Sequence, residues 1–310
     1  MTDDDQLAKA FSLSFNIDNV LNHPTSQQHP RFADYKRVNT VDQEERRRRL
    51  LANQKKFRDF AVALARDISE DGSDVEEEEM EVAQSKYRPK KRKPKVMFSE
   101  WLVDIPDNME EDFIVIPIPI GRRNVVVACN GITYATTKFG AKVKVFPSSL
   151  PGGHRNQRRL DSRKNTIIDT IYHLSQNVFY ALDLMVWDGY PFYNCETSFR
   201  FYWLKSKLEE NPSLQLKERL NPTPILPLPF FTASKEGVLS ALTTFTVDEL
   251  DGLLFYHKQA YYRYGSTPLV GWLKPYMITD VLKLDIPEEY KIKPLTQTKQ
   301  NSQDAVSIEN

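Results

Sequence analysis

The sequence predicts an α+β domain preceded by a basic helical arm and a charged linker. Two observations carry the domain. β-Branched runs bounded by Gly, Pro and Asn crowd the chain after Lys95 without alternating regularly with helices, and all four tryptophans fall beyond residue 100. A third carries the arm and linker: 42 basic and 42 acidic side chains balance over 310 residues, yet the charge before Lys95 is segregated into blocks. That length accommodates one sizeable domain with a substantial tail, or two small domains. Cys129 and Cys195 match no zinc spacing, the N-terminus "MTDDDQLAKAF" is too acidic for a signal peptide, and no apolar run approaches the ~20 residues of a membrane span. The expectation is a reduced, soluble, intracellular protein with no disulfide framework, metal or cofactor.

In chain order, residues 1–26 read as a polar tail whose sparse apolar residues include Leu7, Phe11 and Leu13. They are either incidental hydrophobes in a disordered segment or a short linear motif for a partner's groove. Residues 27–67 form the arm. Thr40 and Gln43 have capping-box spacing, and Leu50, Phe57, Phe60, Ala61 and Leu64 then recur at helical intervals. Arg31 to Arg66 holds 11 basic and 5 acidic residues, so a thin apolar stripe lies on a strongly basic helix that orders fully on a partner.

Residues 68–95 read as a disordered linker of opposed charge. Asp67 to Glu81 holds nine acids and no base, and Lys86 to Lys95 holds seven bases and no acid. The second run also fits the short pattern read by nuclear-import receptors.

The domain spans 96–293. Strands are expected at Phe113 to Pro119, Asn124 to Cys129, Thr166 to His173, Val178 to Trp187, Gly252 to Phe255 and Leu269 to Leu273. "FIVIPIPIGRRNVVV" reads as strand, tight turn, strand. "ETSFRFYWLKSKL" reads as a helix with Phe199, Tyr202, Trp203 and Leu208 on one face, and "PTPILPLP" as an extended connection. Residues 294–310 read as a disordered tail.

By electrostatics alone the quadruple arginine could bind phosphates or simply be solvated. "HPRFADYK" followed by "QEERRRRLLANQKKFRDFAVALAR" resembles the importin-β-binding segment of import adaptors. That resemblance assigns importin-β contacts to Arg31, Lys36, Arg37, Arg46, Arg47, Arg48, Arg49, Lys55, Lys56 and Arg58, with arginine forks pairing carboxylates.

In the domain, five short runs stand in the order of the covalent nucleotidyltransferases, the messenger-RNA capping guanylyltransferases and nucleic-acid ligases. Their K-x-D-G-x-R pattern falls on Ile118, Pro119, Ile120, Gly121, Arg122 and Arg123, so the nucleophilic lysine is replaced by isoleucine, which forms no adduct. "IIDTI" puts Ile171 where a glutamate is expected. "YALDLMVWDG", "LDGLLF" and "LVGWLKP" resemble the later motifs, with Gly271 at the first lysine of the last.

"EERRRRLL", "SEWLVDIP", "SSLPGG", "FRFYW", "DGLLFYHKQ" and "GSTPLVGWLKPYM" together resemble the snurportin family, adaptors that import spliceosomal small nuclear ribonucleoproteins carrying a trimethylguanosine cap. The resemblance implies a cap-binding domain of guanylyltransferase/ligase-like fold, not an enzyme, joined to an importin-β-binding arm and shuttling between nucleus and cytoplasm.

It also implies a site. Trp272 stacks on the methylated base, since an indole face suits a positively charged, apolar ring. Trp101, Phe98 and Ser99 pack on the exocyclic methyls, and Ile118 is an apolar base contact. Arg123 and Lys138 meet the triphosphate bridge. Trp187 and Trp203 read as core, and Arg122 as a solvated turn residue. The family's N-terminal export signal, read by an exportin, would be anchored by Met1, Leu7, Phe11 and Leu13, although "TDDD" puts acids where a further hydrophobe would sit. Two other readings remain: a guanylyltransferase or ligase using Lys138, and a general nuclear RNA-binding protein.

Overall fold

The computed structural model describes residues 42–70, 95–153 and 164–291, with side chains to residue 59 in the first segment. It opens with a long helix, α1 (Gln43–Glu70). The domain follows as β1 (Met97–Trp101), α2 (Met109–Asp112), β2 (Phe113–Pro119), β3 (Arg122–Cys129), β4 (Ile132–Thr137), β5 (Lys142–Phe146), β6 (Asn165–His173), β7 (Val178–Trp187) and β8 (Tyr190–Pro191). Then come α3 (Thr197–Glu209), β9 (Ile225–Pro227), β10 (Phe231–Thr232), α4 (Lys235–Leu242), β11 (Leu250–His257), β12 (Gly265–Leu273), α5 (Ile278–Leu282) and α6 (Glu288–Lys291). The α+β class is as the sequence predicts. No described helix is long and apolar enough to cross a membrane.

The strands form two sheets. The first has the order β1-β12-β11-β2-β10 and the second β5-β4-β3-β6-β7-β8, with β9 parallel to β7 beside it. One core lies between the sheets, built from Ile114, Ile116, Ile118, Leu254 and Val270 against Val125, Ile171 and Met185. A second core covers the first sheet's outer face, where Val115, Leu253, Phe255 and Leu273 meet α4 and α5. A third lies beneath α3 on the second sheet.

β2 is buried at every position because it faces two cores. Its neighbour β10 pairs only with Ile114 and Val115, so Pro117 and Pro119 stand where that edge demands no donor.

Two local expectations change. The glycine of "FIVIPIPIGRRNVVV" does not close a hairpin: β2 belongs to the first sheet and β3 to the second, so Ile120 and Gly121 carry the chain from one to the other. A Cβ at Gly121 would lie 2.6 Å from Ile171 Cγ2 and 2.7 Å from the Tyr172 carbonyl oxygen, so the crossing needs a residue without one.

In α3 the buried face is Thr197, Arg200, Phe201, Leu204 and Leu208, while Phe199 is 46% and Tyr202 65% exposed. The helix is turned by Arg200, whose guanidinium grips the fully buried Asp183 at 2.8 and 2.9 Å. Trp187 is core as expected, and Trp203 packs partly buried against Phe192.

At the start of α1, Thr40 lies outside the described residues. The Asp42 carboxylate accepts from the Glu44 amide at 2.8 Å, and the Gln43 side chain is directed at the domain. The tails and most of the linker also lie outside the described residues.

Candidate functional site

The first sheet gathers most of the expected cap-binding residues. Phe98, Ser99 and Trp101 lie on β1, Trp272 on β12 and Ile118 on β2. β1 runs parallel to β12 with Trp101 in register with Trp272, while Ile118 pairs with Gly252 across β2 and β11. The bare backbone at Gly252 admits the indole of Trp272. A Cβ there would sit 2.6 and 2.7 Å from ring atoms Cζ2 and Cη2. Trp272, half-buried, thus leans toward the strand position beside buried Ile118.

Phe98, Ile118 and Trp272 all adjoin the core between the sheets. Trp101 departs from them and packs against the core on the outer face. The register of β1 against β12 also shifts between Ser99 and Glu100.

Lys138 is exposed at the turn after β4, with Nζ 5.8 Å from the Phe98 ring centroid and 5.5 Å from that of Phe139. The structure therefore brings Lys138 and Phe98 together, although they are 40 residues apart in sequence.

Arg123, expected at the triphosphate bridge, also has partners inside the domain. It donates from Nε and Nη2 to the Asp169 carboxylate at 2.6 and 2.7 Å, and from Nη2 to the Met97 carbonyl at 3.2 Å. Burial opposes its charge, but Asp169 outweighs that and holds the guanidinium's pKa well above its ordinary value. Tyr262 completes the cluster, its hydroxyl donating to Asp169 at 2.5 Å and accepting from the Met97 amide at 3.2 Å. Both backbone groups of Met97 are thus held, which fixes the strand carrying Phe98 and Ser99. Arg122 is exposed, as expected.

Reading the sequence missed a second lysine. Lys274 Nζ lies 5.5 Å from the Trp272 ring centroid and pairs with Asp251. Its signal was present, since "LVGWLKP" keeps the second lysine of the motif and "LDGLLF" an acid, but neither residue had an assigned role. Asp169 and Gly252 stand within the quoted runs "IIDTI" and "LDGLLF", but their partners Arg123 and Trp272, like the role of Tyr262, exist only across strands. Among the described residues no cluster of three His, Cys, Asp or Glu side chains is arranged for a metal.

The arm is seated on the domain. Arg46 forks Glu100 at 2.8 and 2.6 Å. Arg47 is 2% exposed and donates to the carbonyls of Pro268 (3.0 Å) and Asp104 (2.7 Å), to Glu44 (2.9 Å) and to Gln43 (2.7 Å). Gln43 donates to the Trp101 carbonyl at 2.9 Å and accepts from the amides of Val103 and Asp104 at 3.1 and 3.2 Å. Further along, the Gln54 side-chain oxygen Oε1 accepts from the Tyr261 amide at 3.0 Å, and Arg58 approaches Glu196 at 3.6 Å. Arg48, Arg49, Lys55 and Lys56 face outward, as does Phe57 of the expected apolar stripe, 50% exposed. The docked face is therefore polar, and the stripe at Phe57 does not seat it. Arg31, Lys36 and Arg37, and the export candidates Met1, Leu7, Phe11 and Leu13, lie outside the described residues.

Among solved structures, the chain resembles DNA ligases. The ligase domain of LigD from M. tuberculosis shares 12% identity over 58% of this chain and 58% of that one, with a TM-score of 0.41. A Lig E DNA ligase gives 17% identity over 54% and 63%, with a TM-score of 0.37, and the Chlorella virus DNA ligase-adenylate 13% over 58% and 69%, with a TM-score of 0.35. The chain thus spans less than two thirds of the first of these. Two family descriptions match the sequence directly: "Snurportin1, m3G cap-binding domain" over residues 95–275, and "Snurportin1" over residues 29–67. Matched over more than half its length by the first description and over its arm by the second, the chain belongs to the snurportin family.

Proposed function

We propose that this protein is a nuclear-import adaptor: its domain binds the trimethylguanosine cap of spliceosomal small nuclear RNAs, and its arm binds importin-β. Family membership supports both halves. The observation that carries cap recognition is the Trp272 indole laid over Gly252, with Ile118 and Phe98 in the same core, Lys138 near Phe98 and Lys274 near Trp272.

A base methylated at N7 carries positive charge, and an indole face attracts it; Lys274 already holds an ammonium over that face. Phe98 and Ser99 form the wall for the exocyclic methyls, while Trp101, packed on the outer-face core, does not join them. Lys138 and Lys274 are the cations for the phosphate bridge, while Arg123 acts through Asp169 and Met97 as a positioning residue. Shuttling between nucleus and cytoplasm, with return through an exportin, belongs to the same reading.

Trp272→Ala is expected to weaken trimethylated-cap binding by about 10- to 100-fold, the order of one lost base-aromatic stack. Tryptophan fluorescence titrated with trimethylated and monomethylated cap analogues checks this: equal affinity for both removes the specificity, and no response removes the function. The domain is proposed to have no transferase activity, because buried Ile118 offers no nucleophile and Asp169 and Asp183 are each held by an arginine. Incubation with labelled GTP and magnesium is expected to leave the protein unlabelled, and a covalent adduct would overturn this.

A further inference from the structure

We propose that the hairpin of β4 and β5 is a track for the single-stranded RNA that follows the cap, with Phe139 and Tyr134 as stacking platforms and Lys142 as a phosphate contact. The proposal rests on the cap-binding reading of the domain and extends that site beyond the cap.

The sequence gives this part of the chain charge of one sign. Residues 113–153 hold five basic side chains, Arg122, Arg123, Lys138, Lys142 and Lys144, and no acid, in a chain with 42 acids. Arg123 is taken up by Asp169, and Lys144 turns toward the third core, where it donates to Asn177 at 2.7 Å. Lys138 and Lys142 stay exposed on the hairpin, each beside an aromatic ring. Lys138 Nζ is 5.5 Å from the Phe139 centroid, and Lys142 Nζ is 4.3 Å from that of Tyr134. Cations interleaved with π faces suit a polyanion that carries stackable bases.

The direction of the track follows from strand register. Tyr134 pairs with Val127, and Val127 packs against the core between the sheets, which Phe98 and Trp272 also adjoin. Paired residues of antiparallel strands share a face, so Tyr134 and the ammonium over it stand on the side that carries the cap site. At its other end the hairpin is tied down. The Lys95 amide, just before β1, donates to the Lys138 carbonyl at 2.8 Å, and Thr137 Oγ1 accepts from the amides of Phe139 and Ala141 at 3.3 and 3.2 Å. Lys138, beside Phe98, is therefore where the cap site ends and the track begins. From Lys138 back to Tyr134 is about 13 Å of extended strand, room for a few nucleotides.

The apolar part of the surface favours RNA over an acidic protein. Phe139 is 42% exposed, and Val145, which pairs with Tyr134 on the outermost strand of the sheet, is 65% exposed. Carboxylates would satisfy the lysines and leave the rings uncovered, whereas a nucleotide offers a phosphate to the one and a flat base to the other.

The wild-type chain would be titrated with a trimethylguanosine-cap dinucleotide and with a capped single-stranded RNA of about eight nucleotides. The longer RNA is expected to bind about tenfold tighter, the order of one added base-aromatic stack. Its plot of log affinity against log salt is expected to be steeper by about 0.7, one added phosphate contact. Phe139→Ser/Lys142→Ser, at two exposed positions, is expected to lose both increments and keep the affinity for the dinucleotide. Equal affinity of the wild type for the two ligands would overturn the proposal, as would a variant that keeps the increments. An oligoglutamate peptide that removed the increments as well as uncapped RNA does would assign the surface to an acidic protein and overturn it too. If the dinucleotide itself did not bind, the cap reading would fail and this proposal with it, a result distinct from binding that gains nothing from length.

Discussion

At the scale of single residues, two positions without side chains shape the site as much as those with them. Gly252 lies beneath the Trp272 ring, with the Leu273 carbonyl oxygen also 2.5 Å from where its Cβ would be. Gly252→Ala is therefore expected to displace the indole, destabilise the domain by about 1–3 kcal/mol as overpacking does, and shift tryptophan emission while weakening cap binding. Normal emission and affinity would show that the ring does not depend on the glycine. At the other position, Gly121, the K-x-D-G-x-R comparison identified the residue, but its reason is steric: the crossing between sheets presses the backbone against Ile171 and Tyr172. Ile118 and Ile171, the two substitutions readable in the motif, meet in one core. The sequence could show that a lysine and a glutamate had gone. It could not show that their replacements pack together.

At the scale of elements, the strands were more legible than the helix faces. β2 and β7 have the bounds that their apolar runs predict, because strands buried on both faces are continuous hydrophobic segments. β4 and β5 escaped notice, although Asn130 and Gly131, both at positive φ, give the two-residue turn that joins β3 to β4. Of the residues expected on one face of α3, Leu208 is buried and Trp203 partly so, but Phe199 and Tyr202 are exposed, because an arginine counts as polar until a buried acid requires it.

β11 ends at His257, whose ring meets Phe113 edge-on and is surrounded by Asp112, Glu44, Arg47 and Lys258. Burial lowers its pKa from the ordinary 6.5, with the two acids opposing. The unfolded chain then binds the proton more readily, so the stability His257 contributes is present above about pH 6.5 and is lost as pH falls toward the folded value. Thermal unfolding between pH 7.5 and 5 is expected to show this loss, and His257→Asn to flatten it. Parallel profiles for the two proteins would place the titration elsewhere.

At the scale of the whole molecule, polar clusters tie the parts together. Asp169 on the second sheet is held by Arg123 and by Tyr262, which also binds β1 of the first; Asp183 holds Arg200, which reaches the Ala260 carbonyl. Breaking one such buried pair leaves an unmatched charge, so Asp169→Ala is expected to cost about 3–5 kcal/mol in denaturant unfolding. A loss below about 1 kcal/mol would reduce the cluster to a surface-like pair. The α+β class, the segregated charge, the basic helix and the loss of the motif's lysine and glutamate are legible in local composition, periodicity or motif. That Arg123 faces Asp169, that Trp101 and Trp272 pack against different cores, and that the arm's arginines lie against Glu100 and the Pro268 carbonyl emerge from the fold. Those outcomes depend on which groups the fold brings within hydrogen-bonding distance across strands and segments far apart in the chain, and a buried charge goes to the partner that burial leaves it.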